Sequence, residues 1–282
     1  MSERETDGVV CGLCPHHCRI AEGGTDLCAA RTNRGGKIVC QNYGQVTSLA
    51  LDPIEKKPLY HFHPGSVILS VGSYGCNLLC PFCQNHEISR AKAGGLRTEM
   101  LAPETLVQLA EDTRQKYGNI GVAFTYNEPL VSYEYLLDCA KLLRERGLAV
   151  VFVTNGQMCA EPLRKLLPYV DAMNIDLKGF TQTFYDWIGG DLETTKTAIR
   201  LAAEAGVHVE VTTLVIPGKN DNEKEMEAEA RWLASISPEI PLHLSRYFPR
   251  YHCNIPMTPG KTLEQLQGIA KHHLHDVHLG NI

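Results

Sequence analysis

From residue 66 onward, short runs of β-branched and apolar residues alternate with longer stretches whose apolar positions recur every three or four residues. The candidate strands are Val67–Gly72, Gly121–Thr125, Ala149–Thr154, Ala172–Leu177, His208–Val215 and Pro241–Tyr247. Helical periods lie between them. Pro103 opens one with Leu106, Leu109, Ala110 and Tyr117 on a face, and Gly118 closes it. Leu136, Cys139, Ala140 and Leu143 form the face of the next, which makes Cys139 a core residue. Asn222 with Glu225, and Thr262 with Gln265, read as helix starts of the capping-box kind. Repeated strand–helix units imply a parallel sheet covered by helices. Before residue 66 no such period runs. Lys37–Gln41 and Gln45–Leu51 read as a hairpin around Asn42-Tyr43-Gly44. Prolines at 53, 58 and 64 keep Asp52–Gly65 extended. That stretch, with Lys56, Lys57, His61 and His63, is either a solvated linker or a loop over the mouth of the sheet that lines a substrate pocket. The chain divides into an irregular segment, 1–65, and an α/β domain, 66–282.

Composition narrows the setting. The formal charge of the 282 residues is −5 with 21% charged, and no long basic run occurs, which argues against nucleic acid or membrane partners. No apolar stretch reaches the roughly 18 residues of a membrane helix. The start, Met1–Asp7, lacks an apolar signal core, so a cytoplasmic protein is expected. Eleven cysteines there point to metal or redox chemistry rather than disulfides.

Two groups of cysteines stand out. Cys76, Cys80 and Cys83 have the spacing C-x3-C-x2-C directly after the first strand of the α/β domain. A four-iron cluster normally takes four thiolates, so three leave one iron open to a small molecule. A closed zinc site would want a fourth ligand nearby. Inert core cysteines are the bland alternative, but the apolar strand before the run and its framing by Gly72 and Gly75 favour ligation. The second group, Cys11, Cys14, Cys18 and Cys28, reads C-x2-C-x3-C-x9-C in a glycine-rich segment that a metal would stabilise. Its spacing does not choose between zinc and a second iron–sulfur cluster. Other polar residues gather at strand ends, where parallel barrels collect their chemistry. Glu128 and Pro129 come after the second strand, Thr154 and Asn155 end the third, and Asp176 and Lys178 end the fourth. Pro217 turns after the fifth. In the sixth, alternation puts His243 and Ser245 on one face and Leu244 and Arg246 on the other. Helix-start acids, an N-cap and a surface lysine are the plain readings of the same residues.

The loop Gly75–Cys83, with an aromatic at Phe82, resembles the cluster loop of the radical S-adenosylmethionine (SAM) superfamily. The run Cys-Gly-Leu-Cys-Pro-His-His-Cys at 11–18, Asp52–Phe62 and the Cys-Gln-Asn at 83–85 together resemble the AmmeMemoRadiSam radical SAM enzymes. These are relatives of pyruvate formate-lyase activating enzymes. The resemblance implies a partial (β/α)6 TIM-like barrel with a small Cys-rich N-terminal extension. It also implies a 4Fe-4S cluster on Cys76, Cys80 and Cys83, and reductive cleavage of SAM to methionine and a 5′-deoxyadenosyl radical. The backbone at Phe82 and the Pro217 turn would meet the adenosine, and Glu128 the SAM amino group. Thr154, Asn155 and Asp176 would bracket SAM, and Lys178, Arg246 or His243 would reach SAM or an anionic substrate. Tyr126-Asn127 replaces the family's usual glycine pair, and Val153 stands where activating enzymes carry an Asp. Implied partners are a flavodoxin or ferredoxin donor, an unidentified small-molecule or protein substrate, and AMMECR1-like and Memo-like proteins. Members of the family generally continue into a further cysteine-containing tail beyond the equivalent of Ile282. Activation of a glycyl radical enzyme is the second reading, and a non-catalytic iron–sulfur or zinc electron-transfer protein is the rival from another class.

Overall fold

A computed structural model describes residues 8–282, so Met1–Asp7, with its missing signal core, lies outside the described part. Eight strands lie side by side in chain order. They are β1 (Ser48–Pro53), β2 (Val67–Gly72), β3 (Asn119–Phe124), β4 (Ala149–Thr154), β5 (Ala172–Asp176), β6 (His208–Val215), β7 (Leu242–Arg246) and β8 (Val277–Gly280). Strands β2 to β8 run parallel, and β1 lies antiparallel on β2. The six expected strands are β2 to β7. The edge strand β8 was not foreseen, and β1 only in part: the expected strand Gln45–Leu51 covers its first four residues, but it pairs with β2 rather than with residues 37–41.

Helices α1 (Pro103–Tyr117), α2 (Tyr133–Glu145), α3 (Ala160–Leu166), α4 (Gln182–Ile188), α5 (Leu192–Glu204), α6 (Glu223–Ile236) and α7 (Gly260–Ala270) accompany the sheet. Alternation along the strands divides two cores. Outward residues such as Val122, Val150 and Phe152 belong to one cluster with helical Leu106, Leu136 and Leu143, and Cys139 is fully buried in it. Inward Ile68, Ala123, Val151 and Ala172 form a smaller cluster with Ile54 and Leu59. Asn222 caps α6 as expected, accepting from the amides of Lys224 and Glu225. Thr262 does not cap α7, which starts at Gly260 behind Pro259. Among the described residues no helix is long and apolar enough to cross a membrane.

The hairpin expected around residues 42–44 does not form. Lys37–Cys40 pairs with Arg31–Arg34, while Gln45–Val46 pairs with Glu99–Met100. The reason is local: Gly35 and Gly36 both take positive φ (60° and 72°), the conformation a two-residue hairpin turn needs. The Asp52–Gly65 stretch is neither a linker nor a cover over the mouth, although it does line the cavity as the second reading expected. Because β1 is antiparallel, Pro53 lies opposite Val67, at the start of β2. The chain after Pro53 must therefore cross the N-terminal end of the barrel. There Leu59 and Ile54, both fully buried, close the floor.

Candidate active site

The cluster loop leaves β2 under tight constraint. Gly72 has no room for a side chain, since a Cβ there would stand 2.8 Å from the ring of Tyr126. Gly75 has φ 92°, and a Cβ on it would meet the Cys28 carbonyl oxygen at 2.3 Å. Asn127 then grips the loop. Its Oδ1 accepts from the Ser73 amide at 3.0 Å, and its Nδ2 donates to the Tyr74 and Gly75 carbonyls at 3.1 Å each. Beyond the cysteines, Asn85 Nδ2 donates to the Tyr126 carbonyl at 2.7 Å. The Tyr-Asn pair that departs from the family's glycines thus clamps both ends of the loop.

Each of the three thiols lies among polar or charged neighbours. Cys76 Sγ faces the Leu78 amide at 3.4 Å and Asn155 Nδ2 at 3.7 Å. Cys83 Sγ lies 3.2 Å from Ser89 Oγ. Burial pushes the Cys76 thiol well up, and the charges of Glu128, Cys80 and Cys83 push it further. Burial raises Cys80 to about 11 against the opposing pull of nearby Lys178. Such hydrogen bonds and fields tune thiolates bound to iron.

Strand ends β3 to β6 supply the rest. Glu128 is buried and has three donors. Its Oε1 accepts from Thr154 Oγ1 at 2.6 Å and the Leu130 amide at 3.0 Å, and its Oε2 from the Asn155 amide at 2.7 Å. Among the described residues no cation pairs with it, and burial raises it to about 7, with Asp176 adding to the effect. Asn155 reaches on to Asn77 Oδ1 at 3.0 Å, and Asn77 Nδ2 to the Gln157 carbonyl at 2.7 Å. Lys178 Nζ pairs with Asp176 Oδ2 at 2.9 Å. Asn220 Nδ2 donates to the Lys178 and Leu214 carbonyls at 2.8 Å each, which ties the Pro217 turn to the Asp-Leu-Lys segment. Phe82 is buried against Trp187.

Below the cluster loop lies a cavity of about 600 Å³. Its walls include Tyr126 and Gln84 near the mouth, His243 and Ser245 from β7, and Lys57 and Tyr60 from the floor. The parity left open for β7 is resolved by this wall. Arg246 points the other way, and its Nε donates to the Thr258 carbonyl at 2.7 Å, so it is not brought into the cavity. His243 does face inward but is engaged, with Nε2 2.6 Å from Glu210 Oε2. Glu210 is fully buried and also accepts from His208 Nε2 and from the Tyr60 and His61 amides. These four donors depress it to about 2 against burial. Asp52 Oδ2 collects Lys57 Nζ, Ser70 Oγ and Tyr126 OH at 2.8 Å each, and these donors hold it well below the carboxylate range. Glu210 and Asp52 were missed in the sequence. The signal for Glu210 was a lone acid on the inward period of His208–Val215. Cys11, Cys14, Cys18 and Cys28 gather around a separate cavity behind the cluster loop.

Residues 70–233 match the radical SAM superfamily. The chain is 39% identical over 277 residues to an uncharacterized protein of Methanocaldococcus jannaschii, covering 97% of this chain and 81% of that one. It is 27% identical to the pyruvate formate-lyase-activating enzyme of Clostridium pasteurianum, over 57% of this chain and 67% of that one. Among solved structures, a radical SAM methyltransferase from Sphaerobacter thermophilus shares the fold with TM-score 0.59 at 18% identity, over 77% of this chain and 67% of that one. With three cysteines on the loop after β2 and the match running from Ser70 to Leu233, the chain belongs to the radical SAM superfamily.

Proposed function

We propose that this radical SAM enzyme belongs to the AmmeMemoRadiSam branch and uses Glu128 as the anchor for the SAM amino group. The single observation that carries the SAM assignment is Glu128 itself, a buried carboxylate with three neutral donors and, among the described residues, no cation. The donor set on the preceding loop fits the cluster, because three thiols on one short loop leave a coordination position for a small molecule. When bound, the reduced four-iron cluster supplies the electron that cleaves SAM to methionine and a 5′-deoxyadenosyl radical, and a flavodoxin or ferredoxin supplies it in turn. Cys76, Cys80 and Cys83 hold the cluster. Glu128 receives the ammonium through a charge-assisted hydrogen bond. Thr154 and the Asn155 amide orient that carboxylate. Lys178, paired to Asp176, offers its charge to the SAM carboxylate or to an anionic substrate group. Phe82 and the Pro217 turn border the adenosine. The floor formed by Leu59 and Ile54 keeps water from entering the cavity from below, which protects a reactive radical.

The substrate C–H is placed in the cavity between Tyr126 and Tyr60. Activation of a glycyl radical enzyme is the second reading, favoured by the similarity to activating enzymes. AMMECR1-like and Memo-like proteins are partners this branch assignment brings with it. A cytoplasmic setting suits eleven free cysteines. The test is anaerobic reconstitution, dithionite reduction and chromatography for 5′-deoxyadenosine. Product from the wild type, and from Cys80→Ala neither product nor a cluster signal that responds to SAM, is the expected result. An intact reduced cluster that yields no 5′-deoxyadenosine would overturn the assignment. EPR of mixtures with a candidate partner, sought as a stable glycyl signal, separates the two substrate readings.

A further inference from the structure

We propose that Cys11, Cys14, Cys18 and Cys28 hold a second four-iron cluster, through which the electron for SAM cleavage enters. All four cysteines line one cavity, otherwise walled mainly by apolar residues such as Leu13, Ile20 and Val131. The chain is folded to bring them there. The Cys11 amide donates to the Cys18 carbonyl at 2.9 Å, and the His17 amide to the Cys14 carbonyl at 3.2 Å, with His17 at φ 43°. Four free thiols converging on one lined space are an unfavourable arrangement for a core and a natural one for a metal.

The spacing of the sulfurs favours a cluster over a single ion. A zinc tetrathiolate, with bonds of about 2.3 Å, draws its sulfurs to about 3.8 Å of one another. Among the described residues, the trio of ligand atoms lying wholly within 4.8 Å is His61, Asp276 and His278. No three of the four cysteines make such a group; they line one cavity instead, which suits a body with one iron per thiolate.

The position assigns the role. Cys11 and Cys28 are buried, whereas Cys14 and Cys18 are half-buried, so the site runs from the surface inward. Its inner side is the SAM cluster loop. Asn77, next to Cys76, lines the cavity, and its carbonyl lies 2.8 Å from His16 Nε2. The Cys28 carbonyl sits where a side chain on Gly75 would be. One electron passes from a one-electron donor to the outer cluster and on to the inner one, whose reduction SAM cleavage consumes; no proton moves. The second cluster stands without the proposed SAM chemistry, while its role as relay rests on it.

The test counts metal in anaerobically reconstituted protein. The wild type is expected to hold about eight iron and eight sulfide per chain, and the Cys76/Cys80/Cys83→Ala variant about four. The EPR signal of that variant should ignore SAM. Cys14→Ser/Cys18→Ser should keep about four iron with a SAM-responsive signal. With a reduced flavodoxin as donor, its 5′-deoxyadenosine formation should fall by about tenfold or more, some 1.4 kcal/mol of barrier per tenfold. Wild type with about four iron and one zinc, or about four iron and no other metal, would overturn the second cluster. An unchanged rate in Cys14→Ser/Cys18→Ser would overturn the relay. If a variant fails to fold, the wild-type count still decides. If no preparation makes 5′-deoxyadenosine, the SAM reading fails and the count stands by itself.

Discussion

Replacing Glu128 by Gln removes one charge and almost no volume. In the folded protein the carboxylate oxygens accept from Thr154 Oγ1, the Leu130 amide and the Asn155 amide. The Gln amide keeps one oxygen but turns an NH2 toward at least one of these donors. Leaving that donor unpaired costs about 1–3 kcal/mol of stability. Part of this is returned, because burial already disfavours the charged form, which is why Glu128 titrates near 7. Its folded value is raised, so the neutral form's contribution is complete below the ordinary Glu range. It is lost as pH rises through about 7. The Gln variant should therefore lose less stability, relative to wild type, at pH 8 than at pH 5.

The larger effect is expected on SAM. A hydrogen bond to a charged group is worth about 1.5–3 kcal/mol, so affinity should drop by roughly 10- to 150-fold. In the wild type a proton on Glu128 competes with the SAM ammonium, and affinity should fall as pH drops below about 7. The variant should lack that slope. SAM titrated into the reconstituted protein from pH 5.5 to 8.5, followed by the EPR of the reduced cluster, reads both; cluster absorbance and melting temperature report whether the fold survives. Equal affinity and an equal pH slope in the two proteins would refute Glu128 as the ammonium anchor.

Gly75→Ala should be more damaging than its size suggests. Its Cβ would meet backbone, the Cys28 carbonyl at 2.3 Å, at a φ that L residues rarely adopt. Left-handed strain alone is about 1–2 kcal/mol, and iron bound per chain should fall along with the melting temperature. Lys57→Met takes the buried ammonium from Asp52 Oδ2, beside Ser70 and Tyr126, and leaves only the exposed Lys56, 3.2 Å from Oδ1. A loss of about 3–5 kcal/mol in urea unfolding is expected, part of it recovered by adding Asp52→Asn. Glu210→Gln should loosen the barrel floor. The depressed carboxylate contributes stability above the ordinary Glu range, lost as pH falls toward about 2. In the variant the Tyr60 and His61 amides should exchange hydrogen faster than in the wild type, and that difference should shrink in acid. Leu59→Ala, which empties the same floor, should cost about 2–5 kcal/mol by calorimetry without changing iron content.

Strands β2 to β4 were legible as nearly continuous apolar runs, and β5 to β7 by apolar residues alternating with the polar ones that face inward. β1 was harder to read. Ser48–Pro53 carries a serine, an aspartate and a proline, and its partner is fixed by antiparallel register rather than by its own pattern. β8 is four residues long and holds a histidine and a glycine, too little for a periodic signal. The hairpin error had the same root. Asn42-Tyr43-Gly44 and Gly35-Gly36 both look like turns; the two glycines give the tighter hairpin, and Gln45–Val46 is left to pair with distant Glu99–Met100.

Spacing alone brought the two cysteine groups into view, whereas a charge that must be judged by its neighbours stayed illegible. Glu128, Glu210, Asp52 and Glu229 are all buried acids, and of these the sequence singled out only Glu128, by its place at a strand end. Their surroundings separate them. Glu210 and Asp52 are held low by cationic or histidine partners and several donors, so they serve the floor and have no charge to offer a ligand. Glu229 has the Thr213 hydroxyl and rises to about 8, so it stays neutral near pH 7 and can itself donate a proton in a hydrogen bond. Glu128 lies between these cases, with enough donors to hold it near 7 but no positive charge among the described residues to complete it. A cationic ligand would lower that value and gain the charge-assisted bond. The arrangement therefore selects an ammonium rather than a neutral group at this strand end, beside the loop of three cysteines.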